Sequence, residues 1–553
     1  MRFPIQRVLL YLVILLAGFL RIIYLRELRL DDPFFNVPVV DSATYHAWAQ
    51  RIAAGDLLGS GVFYLAPGYP YFLGAVYRIF GVRFDVVYIL QMAMDLGIIL
   101  ALWGITRAAF GEPAGLVAAV LWTFFRFAPF YAGKMSAETP GAFWLVMSVW
   151  VIMGALERGS WRRAVGAGLL MGLAIVTRAF LLLMLPLLCL AILGTRGFSR
   201  RGAVTVGLLL GAALVIFTVT FRNLIVTGHW TLISANSGIV LYAGNNPDAR
   251  GFPTHLEGIS SNVDEQWIEV QGLVEEEIGR RPTPGDVDAY WRKKVWAFVR
   301  EKPMRFIALL LRKALLSISD EEFSDMYFAA YEKERFIQSL GAFWLTMAVV
   351  VPAGLMGIMR SSGSSYRWIL LCPVITIALV LLIFSVTERY RFLSTPFLCV
   401  FASLAVTRMR GGWRPWLLVF AVAAWMIVDA RVLGLERKGF PPEVHYNTGY
   451  AFLQRGELES AVEEFERALK LRPHYPEALL NMGNALYAMG REEEAVALWE
   501  RSLRERPDYP LALYNLAVVL EDRDPERARR YWEAYRRAEA QRGRPSKGLH
   551  VPQ

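Results

Sequence analysis

Cysteine is scarce in this sequence: three residues in 553, Cys189, Cys372 and Cys399, each inside an apolar run and none in a CxxC pair. Such spacing argues against a disulfide framework or a zinc site. The six histidines are scattered and offer no ligand spacing. Also missing are a P-loop, HExxH, GxSxG and a dinucleotide fingerprint, which removes the commonest nucleotide, zinc-protease and hydrolase readings. Gly166, Gly168 and Gly172 fall inside a predicted membrane helix, where small residues permit close packing. Charge is thin as well: 20% of residues are charged against 55% hydrophobic, and the mean hydropathy is +0.36. These values exclude disorder and a single ordinary soluble globule. The net charge is +10, yet from Phe440 onward 17 Lys and Arg face 19 Asp and Glu, so the excess lies in the first 439 residues. There it collects in short turns between apolar runs, as orientation in a bilayer requires, and no nucleic-acid partner is expected.

What the chain does have is apolar length. About eleven runs approach the span of a hydrocarbon core of about 30 Å: near 8–25, 86–106, 113–131, 140–156, 163–177, 179–194, 203–222, 338–358, 368–385, 392–407 and 414–432. The first run is too long for a signal peptide and no small-residue cleavage site follows, so it reads as retained. Basic turns at Arg2/Arg7, Arg107, Arg158/Arg162/Arg163, Arg196/Arg200/Arg201, Arg360/Arg367 and Arg408/Arg410/Arg414 are expected on the cytoplasmic side. Segment 163–194 is basic at both flanks, so it is read as a hairpin with Arg178 near its outer tip. An odd number of spans leaves the N-terminus cytoplasmic and the tail extracytoplasmic, in a cell inner (plasma) membrane.

Two outward loops are long enough for chemistry, about 26–85 and about 223–337. The first is expected to hold helices at 43–55 and 68–80, and the second a helix at 286–301. In the tail a period of 34 residues relates Gly449 to Gly483, Ala461 to Ala495, Phe465 to Trp499 and Pro473 to Pro507. That is the pattern of tetratricopeptide helix pairs, and a third unit follows through Asn515, Ala517, Leu520, Ala528 and Trp532. The expected organisation is all-α: a polytopic membrane bundle over 1–435, a repeat solenoid over 440–541, and a disordered tail over 542–553. A protein or peptide partner is expected on the repeats, and a stabilising cap or dimer surface is the plainer alternative.

Two acids stand at the outer membrane surface. Asp41 precedes a helix, where it caps the backbone or serves as a general base in partial desolvation. Glu138 begins the fourth span beside Pro140, a position that suits a helix N-terminus but is costly near hydrocarbon without a partner. Lys134, one turn earlier, is the nearby candidate partner. The cations Arg178, Arg222, Arg389 and Arg391 lie at the same face, the last two in an outer turn Glu388-Arg389-Tyr390-Arg391. Each alone suits a snorkelling anchor; together they suit an anion site, since guanidinium groups grip phosphate in bidentate fashion. Asp286 and Asp288 form a DxD, but after Thr283-Pro284-Gly285 they read as first-turn helix acids. Asp95 and Asp429 are acids within or near spans, expected near helix ends or paired in the bundle.

Over about 1–435 the chain resembles the GT-C superfamily of integral-membrane glycosyltransferases, in the bacterial branch similar to polyprenyl-phosphate-mannose protein mannosyltransferases. The resemblance rests on Asp41-Ser42-Ala43-Thr44-Tyr45 with Gly55-Asp56, Ala66-Pro67-Gly68-Tyr69-Pro70 with Phe80-Gly81, Ser136-Ala137-Glu138-Thr139, Thr177-Arg178, Arg222-Asn223 with Gly244-Asn245-Asn246-Pro247, and Glu388-Arg389-Tyr390-Arg391. It implies a GT-C type bundle that moves a sugar, mannose-like by preference, from a polyprenyl-phosphate carrier to an acceptor hydroxyl with inversion. Carried over residue by residue, Asp41 and Glu138 would be catalytic, and Lys134, Arg178, Arg389, Arg391 and Arg222 would bind the donor phosphate. Tyr45, Tyr69, Asn245 and Asn246 would line the acceptor or sugar. Many relatives carry Asp-Glu where this chain has Asp41-Ser42. No cofactor or metal is required by this scheme, although some GT-C enzymes use a divalent ion. The pairing of such a bundle with an outward repeat tail is similar to that of transmembrane and tetratricopeptide-containing protein O-mannosyltransferases, which raises protein as acceptor. An envelope glycan is the other acceptor considered, lipid-directed transfer is the nearest variant, and a non-catalytic membrane scaffold that recruits partners is the reading from another class.

Overall fold

The computed structural model describes residues 5–254, 256, 259, 263–324, 326–408 and 440–542. The expected span 414–432, with Arg410, Arg414 and Asp429, lies outside the described residues, as do Arg2 and the tail from 543 onward. Among the described residues there is no strand, only an isolated bridge between Phe125 and Leu345. The described residues are all-helical and form two compact units, one of 5–32, 44–324 and 329–408, the other of 33–43, 326–328 and 440–542.

Among the described residues, five helices of the first unit are long and apolar enough to cross a membrane: Ile5–Asp31, Phe84–Phe110, Glu138–Arg158, Arg201–Thr227 and Glu388–Thr407. In chain order the helices are α1 Ile5–Asp31, α2 Asp41–Ala53, α3 Gly68–Phe80, α4 Phe84–Phe110, α5 Glu112–Phe124, α6 Phe127–Ala132, α7 Glu138–Arg158, α8 Trp161–Thr177, α9 Met184–Gly194, α10 Arg201–Thr227, α11 Ser237–Gly244, α12 Val263–Ile278, α13 Pro284–Glu301, α14 Pro303–Ile318, α15 Ala329–Arg335, α16 Met347–Arg360, α17 Arg367–Ile383 and α18 Glu388–Thr407. Shorter apolar helices are α5, α16, α17 and the stretch Ala179–Gly194, which opens as a 3-10 turn before α9. The hairpin over 163–194 is therefore realised as α8 and α9, with Arg178 at the turn.

Two expected spans are interrupted. The run 113–131 breaks after α5, and 338–358 is helical in its first part only as the 3-10 turn Gln338–Ala342 before α16 begins. The reason is a local exchange of backbone bonds: Leu345 donates to the Phe124 carbonyl at 3.1 Å and Arg126 donates to the Leu345 carbonyl at 2.9 Å. Groups that would have continued two helices satisfy each other instead. The expected turn at 388–391 is likewise helical, because α18 starts at Glu388 and the turn is made by the preceding residues.

Glycines set a close contact between α8 and α10. A Cβ on Gly168 of α8 would lie 2.2 Å from the Leu208 carbonyl oxygen of α10, and one on Gly211 of α10 would lie 2.2 Å from the Val165 carbonyl oxygen of α8. Backbone meets backbone there, the contact that small residues allow between membrane helices.

In the second unit the repeat helices are Pro442–Gln454, Leu458–Leu471, Pro476–Ala488, Glu492–Glu505, Pro510–Leu520 and Pro525–Arg542. Gly449 leaves room for the Phe465 ring and Gly483 for the Trp499 indole, where added Cβ atoms would approach to 2.9 and 2.5 Å. Around these contacts Ala461, Phe465, Ala478 and Ala485 form one core and Ala495, Trp499, Ala512 and Leu516 another. The 34-residue period thus becomes a repeated small-residue notch filled by an aromatic ring.

One substitution made at two sites on one helix tests the α8–α10 contact. Gly168→Ala is expected to destabilise the detergent-solubilised protein by about 1–3 kcal/mol through overpacking. Gly166→Ala, whose new Cβ meets nothing within 4 Å, is expected to leave thermal stability equal or slightly raised. Equal midpoints for the two variants would contradict the packing described.

Candidate active site

Glu138 is the first residue of α7 and is fully buried. Its Oε1 accepts from Arg178 Nη2, at the end of α8, and from Arg389 Nε, in the first turn of α18, the latter at 2.7 Å. Both arginines are themselves more than nine-tenths buried. Three helices that begin or end at one side of the bundle are thereby tied through a single carboxylate. The expected partner, Lys134, is not the one found, because its ammonium is engaged elsewhere.

Several buried polar atoms at and beside this ion cluster lack partners. Among the described residues, Glu138 Oε2, the Arg178 Nε, the Thr139 hydroxyl, the Thr387 hydroxyl and Glu388 Oε1 have no hydrogen-bond partner, and neither does the Tyr131 hydroxyl, which lies within electrostatic reach of Glu388, Glu138 and Arg389. Protein interiors leave few such atoms unmet, so a concentration of them marks a place for a polar ligand or water.

The other expected phosphate-binding cations are used differently. Lys134 is buried between Asp32, at the end of α1, and Glu332 of α15, with Nζ 2.6 Å from a Glu332 oxygen. Burial works against its charge, but the two carboxylates prevail and hold its pKa above the ordinary lysine value. Burial pushes the Glu332 carboxyl up, with the Asp32 charge adding to it and Lys134 opposing it. Arg391 pairs with Glu388 and donates to the carbonyls of Ser319 at 2.6 Å and Glu321 at 2.5 Å. Arg222 donates to the Leu58 carbonyl and, at 2.6 Å, to the Gly61 carbonyl, and its guanidinium lies 3.8 Å over the Phe63 ring. These three cations hold loops against helix ends; among the described residues, Arg178 and Arg389 converge on Glu138.

The expected sugar-lining residues also carry structural bonds. Tyr69 is buried edge-on to Tyr45 and donates to Gln91 Oε1 at 2.7 Å. Gln91 in turn donates to the Lys134 carbonyl at 2.7 Å and the Ala132 carbonyl at 3.0 Å, fixing the segment that leads into Glu138. Asn245 donates to the carbonyls of Leu241 and Ile383, and Asn246 to those of Tyr242 and Ala243. Asp41 opens α2 and belongs to the second unit. It follows Val40, a β-branched residue at φ 51°, a conformation such residues adopt only when the surroundings impose it. Asp286 caps α13 in a capping box with Thr283, as its helix-start reading requires. Asp95 pairs within the bundle, accepting from Arg21 at 2.9 Å and from the Trp122 indole at 2.8 Å. Among the described residues no group of three or more His, Cys, Asp and Glu side chains is placed to hold a metal ion.

Sequence reading missed Asp32, Glu332 and Glu322. Glu322 is buried, accepts from the Ala329 and Ala330 amides at 2.7 and 3.1 Å, and has its pKa pushed up to about 7 by burial. Lys313 was also missed. It is fully buried in α14, donates to Asn245 Oδ1 at 2.9 Å and to the Leu382 carbonyl at 3.1 Å, and burial pushes its pKa down to about 7. The only sequence signal for it was a lysine on the apolar side of an amphipathic helix.

Lys313 gives a pH prediction. Below about pH 7 it is protonated in both folded and unfolded chains, and the cost of burying its charge is present in full. Between about 7 and its ordinary value of 10.5 the unfolded chain binds the extra proton, so stability rises with pH. Lys313→Met is expected to flatten that rise between pH 7 and about 9.5 in thermal unfolding. The same slope in both proteins would rule out the buried lysine as its source.

The family model for dolichyl-phosphate-mannose-protein mannosyltransferase matches residues 65–224, which include Glu138 and Arg178. The tetratricopeptide repeat model matches 449–490 and 483–522. No curated relative matches the chain. Among solved structures, the archaeal oligosaccharyltransferase AglB from Archaeoglobus fulgidus, in complex with an inhibitory peptide and a dolichol-phosphate, is similar at 15% identity over 85% of this chain and 60% of that one, with a TM-score of 0.40. The Archaeoglobus fulgidus oligosaccharyltransferase tethered to an acceptor peptide is similar at 15% identity over 96% of this chain and 58% of that one, with a TM-score of 0.39. MamA is similar at 19% identity over 25% of this chain and 75% of that one, with a TM-score of 0.18. The chain spans about 60% of the length of the oligosaccharyltransferase structures. The chain is thus a multi-pass membrane protein with a mannosyltransferase-like segment over 65–224 and tetratricopeptide repeats over 449–522.

Proposed function

We propose that the protein is an inverting glycosyltransferase that moves a sugar, mannose-like by preference, from a polyprenyl-phosphate carrier to an acceptor hydroxyl on the outer side of the plasma membrane. The observation that carries the reading is the buried Glu138–Arg178–Arg389 cluster. It lies partly within the segment that matches the mannosyltransferase family and is bordered by buried polar atoms without partners. An anion such as the carrier phosphate suits guanidinium donors held in advance by a carboxylate, because little reorganisation is left to the moment of reaction. The acceptor favoured is protein, since the repeats are of a type that holds peptide segments.

In the proposed reaction Asp41 takes the proton of the acceptor hydroxyl. The oxygen attacks the anomeric carbon from the face opposite the phosphate, the new C–O bond forms, and the bond to the phosphate oxygen breaks. The carrier monophosphate departs with the bonding pair, and Arg178 and Arg389 stabilise its developing charge. Glu138 orients both guanidinium groups. Lys134, Arg222 and Arg391 act at one remove, by fixing the loops.

The test is transfer of radiolabel from polyprenyl-phosphate-mannose to endogenous acceptors in membranes, at matched expression. Wild type is expected to label protein, Asp41→Asn to lose about 10²–10⁴-fold as a missing general base does, and Glu138→Gln to lose activity as well. Label in lipid alone would redirect the reading to lipid-directed transfer. No transfer with this or other lipid-linked sugars, together with silent Asp41 and Glu138 variants in a functional assay, would leave the scaffold reading.

A further inference from the structure

The second unit joins three stretches far apart in sequence. Phe34 packs edge-on against Tyr327, with ring centroids 5.3 Å apart, and the Ser42 and Tyr327 hydroxyls lie 3.0 Å apart. One residue before Tyr327, the Met326 carbonyl accepts from Asn447 Nδ2 at 3.2 Å, and Asn447 belongs to the first repeat helix, Pro442–Gln454. One residue after it, Phe328 stands edge-on to Phe440, at the start of the repeats, with centroids 6.4 Å apart. Phe34, Ser42, Met326, Tyr327, Phe328 and Asn447 are all buried.

These contacts lead from the repeat domain to the residue beside Asp41. Ser42 directly follows it, and the turn between them and Val39 is closed by the Ser42 amide on the Val39 carbonyl at 3.0 Å and the Ala43 amide on the Val40 carbonyl at 3.1 Å. Val40, inside that turn, has φ 51°. A branched side chain holds such a backbone only when its neighbours over-determine it. The packing against 326–328 and the first repeat helix is what can do so, and a polar pair buried at 0% and 4% exposure for Ser42 and Tyr327 is specific in direction as apolar packing is not.

We propose that the repeat domain is a working part of the acceptor-base loop: through Asn447, segment 326–328 and the Ser42–Tyr327 hydroxyl pair, it fixes the turn that presents Asp41. Asn447, Tyr327 and Ser42 are positioning residues. The assignment of Asp41 as base rests on the function proposed above; the coupling of repeats to loop does not.

Two measurements on the full-length protein in detergent separate these. Hydrogen–deuterium exchange across 33–43 is expected to quicken several-fold in Asn447→Ala and in Tyr327→Phe, while Asn515→Ala, in the third repeat, leaves it unchanged. Unchanged exchange in the first two variants would overturn the coupling, as would an equal increase in all three. With polyprenyl-phosphate-mannose and a soluble hydroxyl-bearing acceptor peptide, kcat is expected to fall about tenfold in Tyr327→Phe and in Asn447→Ala, in keeping with the cost of a misplaced catalytic group. The donor KM should stay unchanged, and the double variant should fall no further than either single one. Additive losses, or wild-type kcat in both single variants, would overturn a positioning role. A wild-type protein that transfers no sugar would instead remove the base assignment, and the exchange result would then decide the coupling alone.

Discussion

A charge placed inside a bundle of apolar helices has no water to retreat to, and the first unit is arranged around meeting that demand. Removing one partner of a buried ion pair costs about 3–5 kcal/mol, against a total stability for most domains of about 5–15 kcal/mol. Arg21 with Asp95 joins α1 to α4, Lys134 with Asp32 and Glu332 joins α1 and the start of α7 to the second long loop, and Glu138 with Arg178 and Arg389 joins α7, α8 and α18. Each cluster links segments that are distant along the chain, so the choice of partner fixes which loop lies against which helix end. Two other buried cations, Arg222 and Lys313, are met by backbone carbonyls and a carboxamide. The same demand thus also shapes the loops.

The clusters differ in how completely they are satisfied. Asp95 has both oxygens bonded, one to Arg21 and one to the Trp122 indole, deep among apolar side chains. The carboxylate of that pair is closed, while Arg21 Nη2 has no partner among the described residues. Glu138 uses one oxygen for two guanidinium groups and leaves the other unmet, with the Thr139 hydroxyl and Arg178 Nε unmet beside it. An open cluster of this kind costs stability that a closed one does not. Its persistence is intelligible if a ligand supplies the missing partners.

The elements were legible where periodicity or punctuation was strong. The helix at 68–80 is found at those residues, the helix expected over 286–301 begins two residues earlier at its proline, and the 34-residue period gives the repeat helices with Gly449 and Gly483 as notches. The spans 113–131 and 338–358 were misread because hydropathy does not register the backbone exchange at Phe125 and Leu345. Glu138 and Arg178 could be singled out because a charge at a span end is conspicuous. The pairing could not be read. Lys134 is nearer to Glu138 in sequence than either arginine, yet Asp32 and Glu332 claim it from elements 102 and 198 residues away. Ser42, visible in the sequence only as a departure from an Asp-Glu pair, spends its hydroxyl on Tyr327, 285 residues on. Such long-range contacts leave no local signature.

The two acids singled out by the sequence meet different physical demands, and this bears on how the proposed reaction divides between them. A base must have an oxygen available to a hydroxyl proton and must be able to give that proton up again. Glu138 accepts from two guanidinium groups on one oxygen in a fully buried setting, so its anionic form is what holds the three helix ends together. Protonating it would release both arginines at the moment their charge is needed by a departing phosphate. Asp41 is at the head of α2, half-buried, directly after Val40 at φ 51°. In the proposed reaction it is the acid that takes the hydroxyl proton. The proposed division therefore gives Glu138, whose carboxylate already accepts from both arginines, the task of orienting them, and gives the proton transfer to Asp41 at the start of α2.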